Sequence, residues 1–292
     1  MKNLLILASL LGSFFYSQSQ STVVYDIPSL SEKVSVLRAV SGGPGGGNIG
    51  VYKSSDGFIL IDDQFEVNEV KILEALKSIA DLPVKLIINI HYHGDHTGGN
   101  IVFGKQNIPI YAHSNVRKRL NRDTNQFGRY ARLIKKYPQE ALPTTTYSQH
   151  MVLYDDIEEI NLFFFGNGHT DGDTIIFFKN DNIIHAGDTF TVGGYPYIDI
   201  DNGGRLGGLI NILNMIISLS DENTKIIPGH GDISSVNDVS RRRNILKIFY
   251  EEAEKGFQRG LSVEEVFNNI PYDLGGDKLQ FIKDIYYELS IN

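Results

Sequence analysis

The 292-residue chain contains no cysteine. Disulfides, thiolate nucleophiles and thiolate metal ligands are excluded together, so any metal site must be built from His, Asp and Glu. A cysteine-linked lipid anchor is excluded as well, although the lack of disulfides neither supports nor opposes export. Positive charge is also scarce: 27 Lys and Arg face 35 Asp and Glu, for a net charge of −8. A surface of that sign repels nucleic acid and anionic membrane, which leaves a small-molecule substrate as the expected partner. Composition gives no sign of disorder or of a fibrous repeat. With 41% hydrophobic and 21% charged residues, the chain has material for a sizeable globular core.

The first twenty residues differ from the rest. Lys2 gives a positive start, residues 4–16 are almost continuously apolar, and Ser17-Gln18-Ser19-Gln20 supplies small and polar residues suited to cleavage. This predicts a secretory signal peptide over 1–20 and a periplasmic or secreted protein of residues 21–292. The apolar core is shorter than the roughly twenty residues of a spanning helix, so no stable membrane anchor is expected.

Strands are predicted over 32–40, 48–52 and 58–62, with Ser55-Asp56-Gly57 as a hairpin turn. Between the first two lies a stretch with five glycines and Pro44 over 41–47. A strand follows it, whereas dinucleotide and P-loop motifs need a helix there, so it is read as a flap beside a site or as a plain loop. Val70, Leu73, Leu76, Ile79 and Ala80 give residues 66–80 helical spacing. The apolar run Val84-Lys85-Leu86-Ile87-Ile88-Asn89-Ile90 then reads as a buried strand. The order strand, helix, strand favours a right-handed crossover onto one sheet.

After that strand stands His91-Tyr92-His93-Gly94-Asp95-His96-Thr97-Gly98-Gly99-Asn100. Three of the chain's eight histidines and one carboxylate fall within six positions, in the ligand chemistry that zinc accepts. His91 and His93 could converge on one ion while Asp95 and His96 reach another. Three more segments place His or Asp just beyond a predicted strand: His169 in Gly166-Asn167-Gly168-His169-Thr170, Asp188 in Gly187-Asp188-Thr189, and His230 in Pro228-Gly229-His230-Gly231. Loops at one edge of a sheet pair can meet in space. The chain divides near Tyr154 into halves of strands followed by helices, which suggests duplicated α/β units joined face to face.

Residues 115–136 carry eight basic side chains, Arg129 among them, against Asp123 alone. They are read as a helical insert over about 114–150, either a solvated face or part of an entrance that favours anionic substrates. A helical tail is predicted over about 236–292, with a break near 269–276. Tyr195, Tyr197, Asn202 and Arg205, in the loop after Asp188, are candidate substrate contacts or simple cover. His113, His150 and His185 are read as structural.

The ordered motifs His-x-His-x-Asp-His, Gly-His-Thr-x-Gly-Asp, Gly-Asp-Thr and Pro-Gly-His-Gly resemble the signature of the metallo-β-lactamase fold superfamily over about residues 30–235. The resemblance implies an α/β fold, a four-layer αββα sandwich. It implies one metal held by His91, His93 and His169, a second by Asp95, His96 and His230, and Asp188 bridging them. The cofactors expected are two Zn2+, with iron as the alternative. Two such ions about 3.5–4 Å apart can share a hydroxide at neutral pH, with Asp95 as the catalytic residue that orients it.

Within that superfamily the exported class B β-lactamases carry cysteine, or no ligand, where Asp188 stands. No lysine lies between Asp188 and Gly208, so Arg205 would have to meet a β-lactam carboxylate. The complete ligand set is closer to hydroxyacylglutathione hydrolases and lactonases. The expected function is an exported zinc-dependent hydrolase of a carbonyl-centred bond in a lactam, lactone, ester or thioester. The alternative is an iron-dependent oxidoreductase similar to sulfur dioxygenases.

Overall fold

The computed structural model describes residues 21–126, 132–155 and 157–291. The expected signal segment 1–20 and Arg129 lie outside the described residues. In β4 (Phe58–Ile61), all four apolar side chains are buried, and they alternate between two cores. Phe58 and Leu60 point one way and Ile59 and Ile61 the other. Because strand side chains alternate faces, a strand with both faces buried must lie between two packed layers.

The first sheet runs in the order β1 (Val24–Asp26), β2 (Val34–Ser41), β3 (Ile49–Lys53), β4, β5 (Val84–Asn89), β6 (Ile110–His113) and β9 (Thr145–Tyr147). Strands β4, β5, β6 and β9 are parallel neighbours. The second sheet holds β10 (His150–Asp155), β11 (Glu158–Phe163), β12 (Ile175–Phe178), β13 (Ile183–Gly187), β14 (Lys225–Pro228) and β15 (Ser234–Ser235). Only its β13 and β14 pair in parallel. The boundary between the halves falls at 148–149, because Tyr154 lies inside β10.

Three cores give the four layers. Outside the first sheet, Ile72 and Leu76 of α1 (Glu69–Ile79) and Phe103 of α3 (Asn100–Lys105) cover Leu60 and Ile87. Between the sheets, Ile61 and Ile88 meet Ile176, Phe178 and Ile227, and Tyr52 stacks on Phe178 at 5.7 Å. Outside the second sheet, α5 (Leu206–Leu219), α6 (Val236–Gln258), α7 (Val263–Asn269) and α8 (Lys278–Ile291) bury Ile184 and Ile226. The tail helices are fixed locally: Ser235 with Asp238, and Ser262 with Glu265, form capping boxes. Buried Glu288 of α8 accepts the Leu206 N–H at 2.7 Å, holding the tail against the start of α5. Among the described residues no helix is long and apolar enough to cross a membrane.

Two further expectations change. In α1, Val70 and Leu73 are exposed and the buried face is Ile72, Ala75 and Leu76. Among the described residues of the predicted helical insert over 114–150, only α4 (Ser114–Leu120) is an α-helix, with one 3-10 turn at Gln139–Ala141. The chain then forms a hairpin of β7 (Thr124–Gln126) and β8 (Arg132–Ile134). Thr124 donates its hydroxyl to the Arg119 carbonyl at 3.0 Å, which competes with helix continuation. Asp123 accepts from the Lys136 N–H at 2.9 Å and ties the hairpin ends together.

Candidate metal centre

The candidate ligands sit where strands end. His91 and His93 follow β5, and the single turn α2 (Gly94–Thr97) turns Asp95 and His96 back toward them. His169 lies in the connection from β11 to β12, Asp188 follows β13, and His230 follows β14. The first sheet thus presents four ligating side chains and the second three, facing one another across the seam.

The seven residues converge. Potential ligating atoms lie within 4.8 Å of one another in three groups: His91, His93 and His169; Asp95, His96 and His230; and His91, His96 and Asp188. The rings of His91, His93 and His169 stand nearly perpendicular to one another, with all centroids 4.7 Å apart. Asp188 faces both sides: its Oδ2 lies 3.6 Å from His169 Nε2 and 3.5 Å from His230 Nε2, and its Oδ1 lies 3.3 Å from His96 Nε2.

The protonation pattern fits a cation. His169 directs Nδ1 at the Tyr197 carbonyl at 2.7 Å, and a carbonyl accepts, so Nε2 is left as a lone pair. His93 directs Nε2 at the Asp199 carboxylate at 2.9 Å, leaving Nδ1 as a lone pair. These two lone pairs then face each other at 2.9 Å, an arrangement that a metal ion between them relieves. His91 Nε2 is buried without a hydrogen-bond partner among the described residues, and burial together with the neighbouring imidazoles holds its pKa well below the usual histidine value. Burial opposes charge on His96 also, yet the carboxylates of Asp188, Asp95 and Asp62 outweigh it and raise its pKa well above the ordinary value. A pocket of that potential calls for positive charge.

Two residues that sequence reading missed hold these ligands in orientation. Asp62 accepts from His96 Nδ1 at 2.7 Å and from the Ile90 N–H at 2.9 Å. It is fully buried with φ of 68°, a strained conformation for a residue with a side chain. Its signal was present: it is a carboxylate at the end of β4, the same placement that picked out the others. Asp199 accepts from His93, from the Tyr92 hydroxyl and from Asn202 Nδ2, and nothing in its local sequence marks it. Such partners fix the tautomer and direction of a ligating imidazole.

Glycine makes the approach possible at two points. A Cβ on Gly47 would lie 2.1 Å from His96 Cε1, and one on Gly229 would lie 1.9 Å from Asp188 Oδ1. The Gly47 N–H also donates to the Asp95 carbonyl at 3.1 Å. The glycine-rich stretch therefore packs directly on the centre.

A cavity of about 410 Å³ opens over the ligands, walled by Phe65, Gln126, Arg132, Val192, Tyr195 and Tyr197 among others. Tyr195 presents its ring there while its hydroxyl donates to Asp273 at 3.1 Å. Asn202 and Arg205 are not among the lining residues. Asn202 bonds Asp199, Asn125 and Arg119, and Arg205 donates to the Ile200 and Gly204 carbonyls; both brace the loop. His113 and His150 stack on Phe164 and Phe163, and buried His185 faces the Asn48 carbonyl; none of the three is in a ligand group.

Comparison with known proteins bears on the fold and the family. The DIM-1 metallo-beta-lactamase structure superposes with a TM-score of 0.61 over 77% of this chain and 99% of that chain, at 18% identity. The metallo-beta-lactamase from Pontibacter korlensis also gives 0.61, over 77% and 99%, at 16% identity. At these identities the likeness is one of fold. The Bacillus subtilis (strain 168) protein named "Probable metallo-hydrolase YqgX" is 25% identical over 199 residues, 64% of this chain and 90% of that protein. The family model described as the metallo-beta-lactamase superfamily matches residues 42–230, more than half of the sequence and every candidate ligand. The chain belongs to the metallo-beta-lactamase superfamily.

Proposed function

We propose that the protein is an exported, zinc-dependent hydrolase that cleaves a carbonyl-centred bond in a lactam, lactone, ester or thioester. The observation that carries this reading is Asp188, whose two oxygens face His96 on one side and His169 and His230 on the other. His91, His93 and His169 would hold one ion; Asp95, His96 and His230 would hold the other, with Asp188 between them. An all-imidazole and carboxylate donor set without thiolate suits zinc. When bound, such a pair supplies water of lowered pKa and polarises a carbonyl.

The chain's own residues do the rest. Asp95, with Oδ2 3.3 Å from His230 Nε2 and 3.5 Å from His96 Nε2, orients the attacking water. Asp199 and Asp62 keep His93 and His96 pointed inward. Phe65, Val192 and Tyr197 give the cavity an apolar wall that excludes water from the acyl group. Export rests on the composition of residues 1–20.

The test is a hydrolase panel of esters, lactones, thioesters and a chromogenic cephalosporin on purified metal-loaded protein, with metal analysis of protein made in unsupplemented medium. Turnover with zinc bound supports the reading. Stoichiometric iron with oxygen consumption, and no hydrolysis, defeats it in favour of an oxidoreductase on the same fold. Detection of the protein in the periplasm or medium, with an N-terminus near residue 21, checks export.

A further inference from the structure

We propose that Arg132 is a specificity residue: the cavity takes substrates that carry a carboxylate a short carbon spacer away from the reacting carbonyl, and Arg132 binds that carboxylate. The proposal rests on the hydrolase reading above and names its substrate class.

Among the described residues, Arg132 is the only Arg or Lys in the wall of the cavity. It stands on β8, directly opposite Gln126 of β7 in the hairpin register. Its Nε donates to Gln126 Oε1 at 2.6 Å, and Gln126 is itself buried with 3% exposure. That bond fixes the plane of the guanidinium and leaves Nη1 and Nη2, the pair that grips a carboxylate end-on. Nη2 points over the candidate ligands, 3.9 Å from Asp95 Oδ1.

Four other cations of this segment are committed elsewhere. Arg119 is paired with Asp171 and Asn202, Lys135 with Asp123, Lys118 with Asn115, and Arg117 with the Pro143 carbonyl. Among the described residues, Arg132 has only the long contact to Asp95 as an ionic partner. Charge balance runs the same way. Two divalent ions would offset the four carboxylates at the centre, Asp95 and Asp188 with Asp62 behind His96 and Asp199 behind His93, so Asp95 would have less hold on the guanidinium and Arg132 would set the sign of the loaded cavity. An acyl compound with an acidic end fits that field, while Phe65, Val192 and the Tyr197 ring meet its apolar body.

Two measurements test this on the full-length metal-loaded protein, with metal content verified for each variant. Calorimetric titration with benzoate, and with benzamide as its neutral counterpart, reads the subsite without turnover. Benzoate is expected to bind about tenfold more weakly to Arg132→Gln than to wild type, with Arg132→Lys between the two. Equal benzoate affinity for wild type and Arg132→Gln, or no benzoate binding to wild type, overturns the proposal. The second measurement compares 4-nitrophenyl hemisuccinate with 4-nitrophenyl butyrate. The ratio of their kcat/KM values is expected to fall about tenfold in Arg132→Gln, and an unchanged ratio speaks against Arg132. If wild type cleaves neither ester, the hydrolase reading loses its ester branch, and the benzoate titration still decides the subsite.

Discussion

The two candidate ligand groups share one cavity but differ in their access to water. His91, His93 and His169 are 1%, 4% and 2% exposed. In the other group the His230 side chain is 40% exposed and that of Asp95 24%. The first group is also backed on two of its three members, by Asp199 behind His93 and the Tyr197 carbonyl behind His169. In the second only His96 has such a partner, Asp62. A sealed, backed pocket releases its ion slowly, whereas a pocket with an open side exchanges with solvent. The difference points to division of labour: one pocket holds, the other serves the chemistry.

The strongest test strikes the open side. Asp95→Asn is expected to lower turnover by about 10²–10⁴ with the fold retained; near-normal kcat in the purified variant would falsify the role given to Asp95. Next comes metal removal. Stepwise treatment with a chelator, followed by metal analysis, should strip one equivalent before the other, and His230→Ala should lack only the early one. Loss of both ions in a single phase would erase the distinction between the pockets. A smaller effect is expected from the backing residues. Asp199→Ala should weaken the tighter equivalent about 10–100-fold, and Asp62→Ala should act mainly on the looser one; competition against a metal indicator measures both, and interchangeable effects would mean that the pockets are read wrongly. The mildest change lies far from both. Glu288→Ala removes the carboxylate over the start of α5 and should cost about 1–2 kcal/mol in denaturant unfolding, with the ratio of the two metal affinities unmoved.

The sequence made one side of this centre far easier to read than its support. Histidine is rare in the chain, so three imidazoles within six positions stand out, and His169, Asp188 and His230 each follow an apolar run that ends abruptly. Asp62 obeyed the same rule but was absorbed into its strand, because one carboxylate after Ile61 reads as a polar boundary. Asp199 could not be found that way: its meaning depends on a loop that folds back 106 positions to reach His93. The hairpin after α4 shows the same limit. The basic run after Asn115 reads as a helix, and what decides otherwise is the tie from Asp123 to Lys136, thirteen positions on. Local pattern reports local preference; the partner that overrules it is legible only in three dimensions. The layered fold was more accessible, since apolar strands such as β4, β5, β13 and β14 leave few alternatives to burial on both faces.

The placement of the ligands across the seam also sets an order in time. A growing chain that has reached β9 owns His91, His93, Asp95 and His96 but no complete pocket. The three-histidine group closes only once His169 has been made and the second sheet has docked, and the other group waits for His230. Helices α6 to α8 arrive later still. Metal capture is therefore a late event in the life of each molecule, and a bound ion certifies that both halves have already found each other.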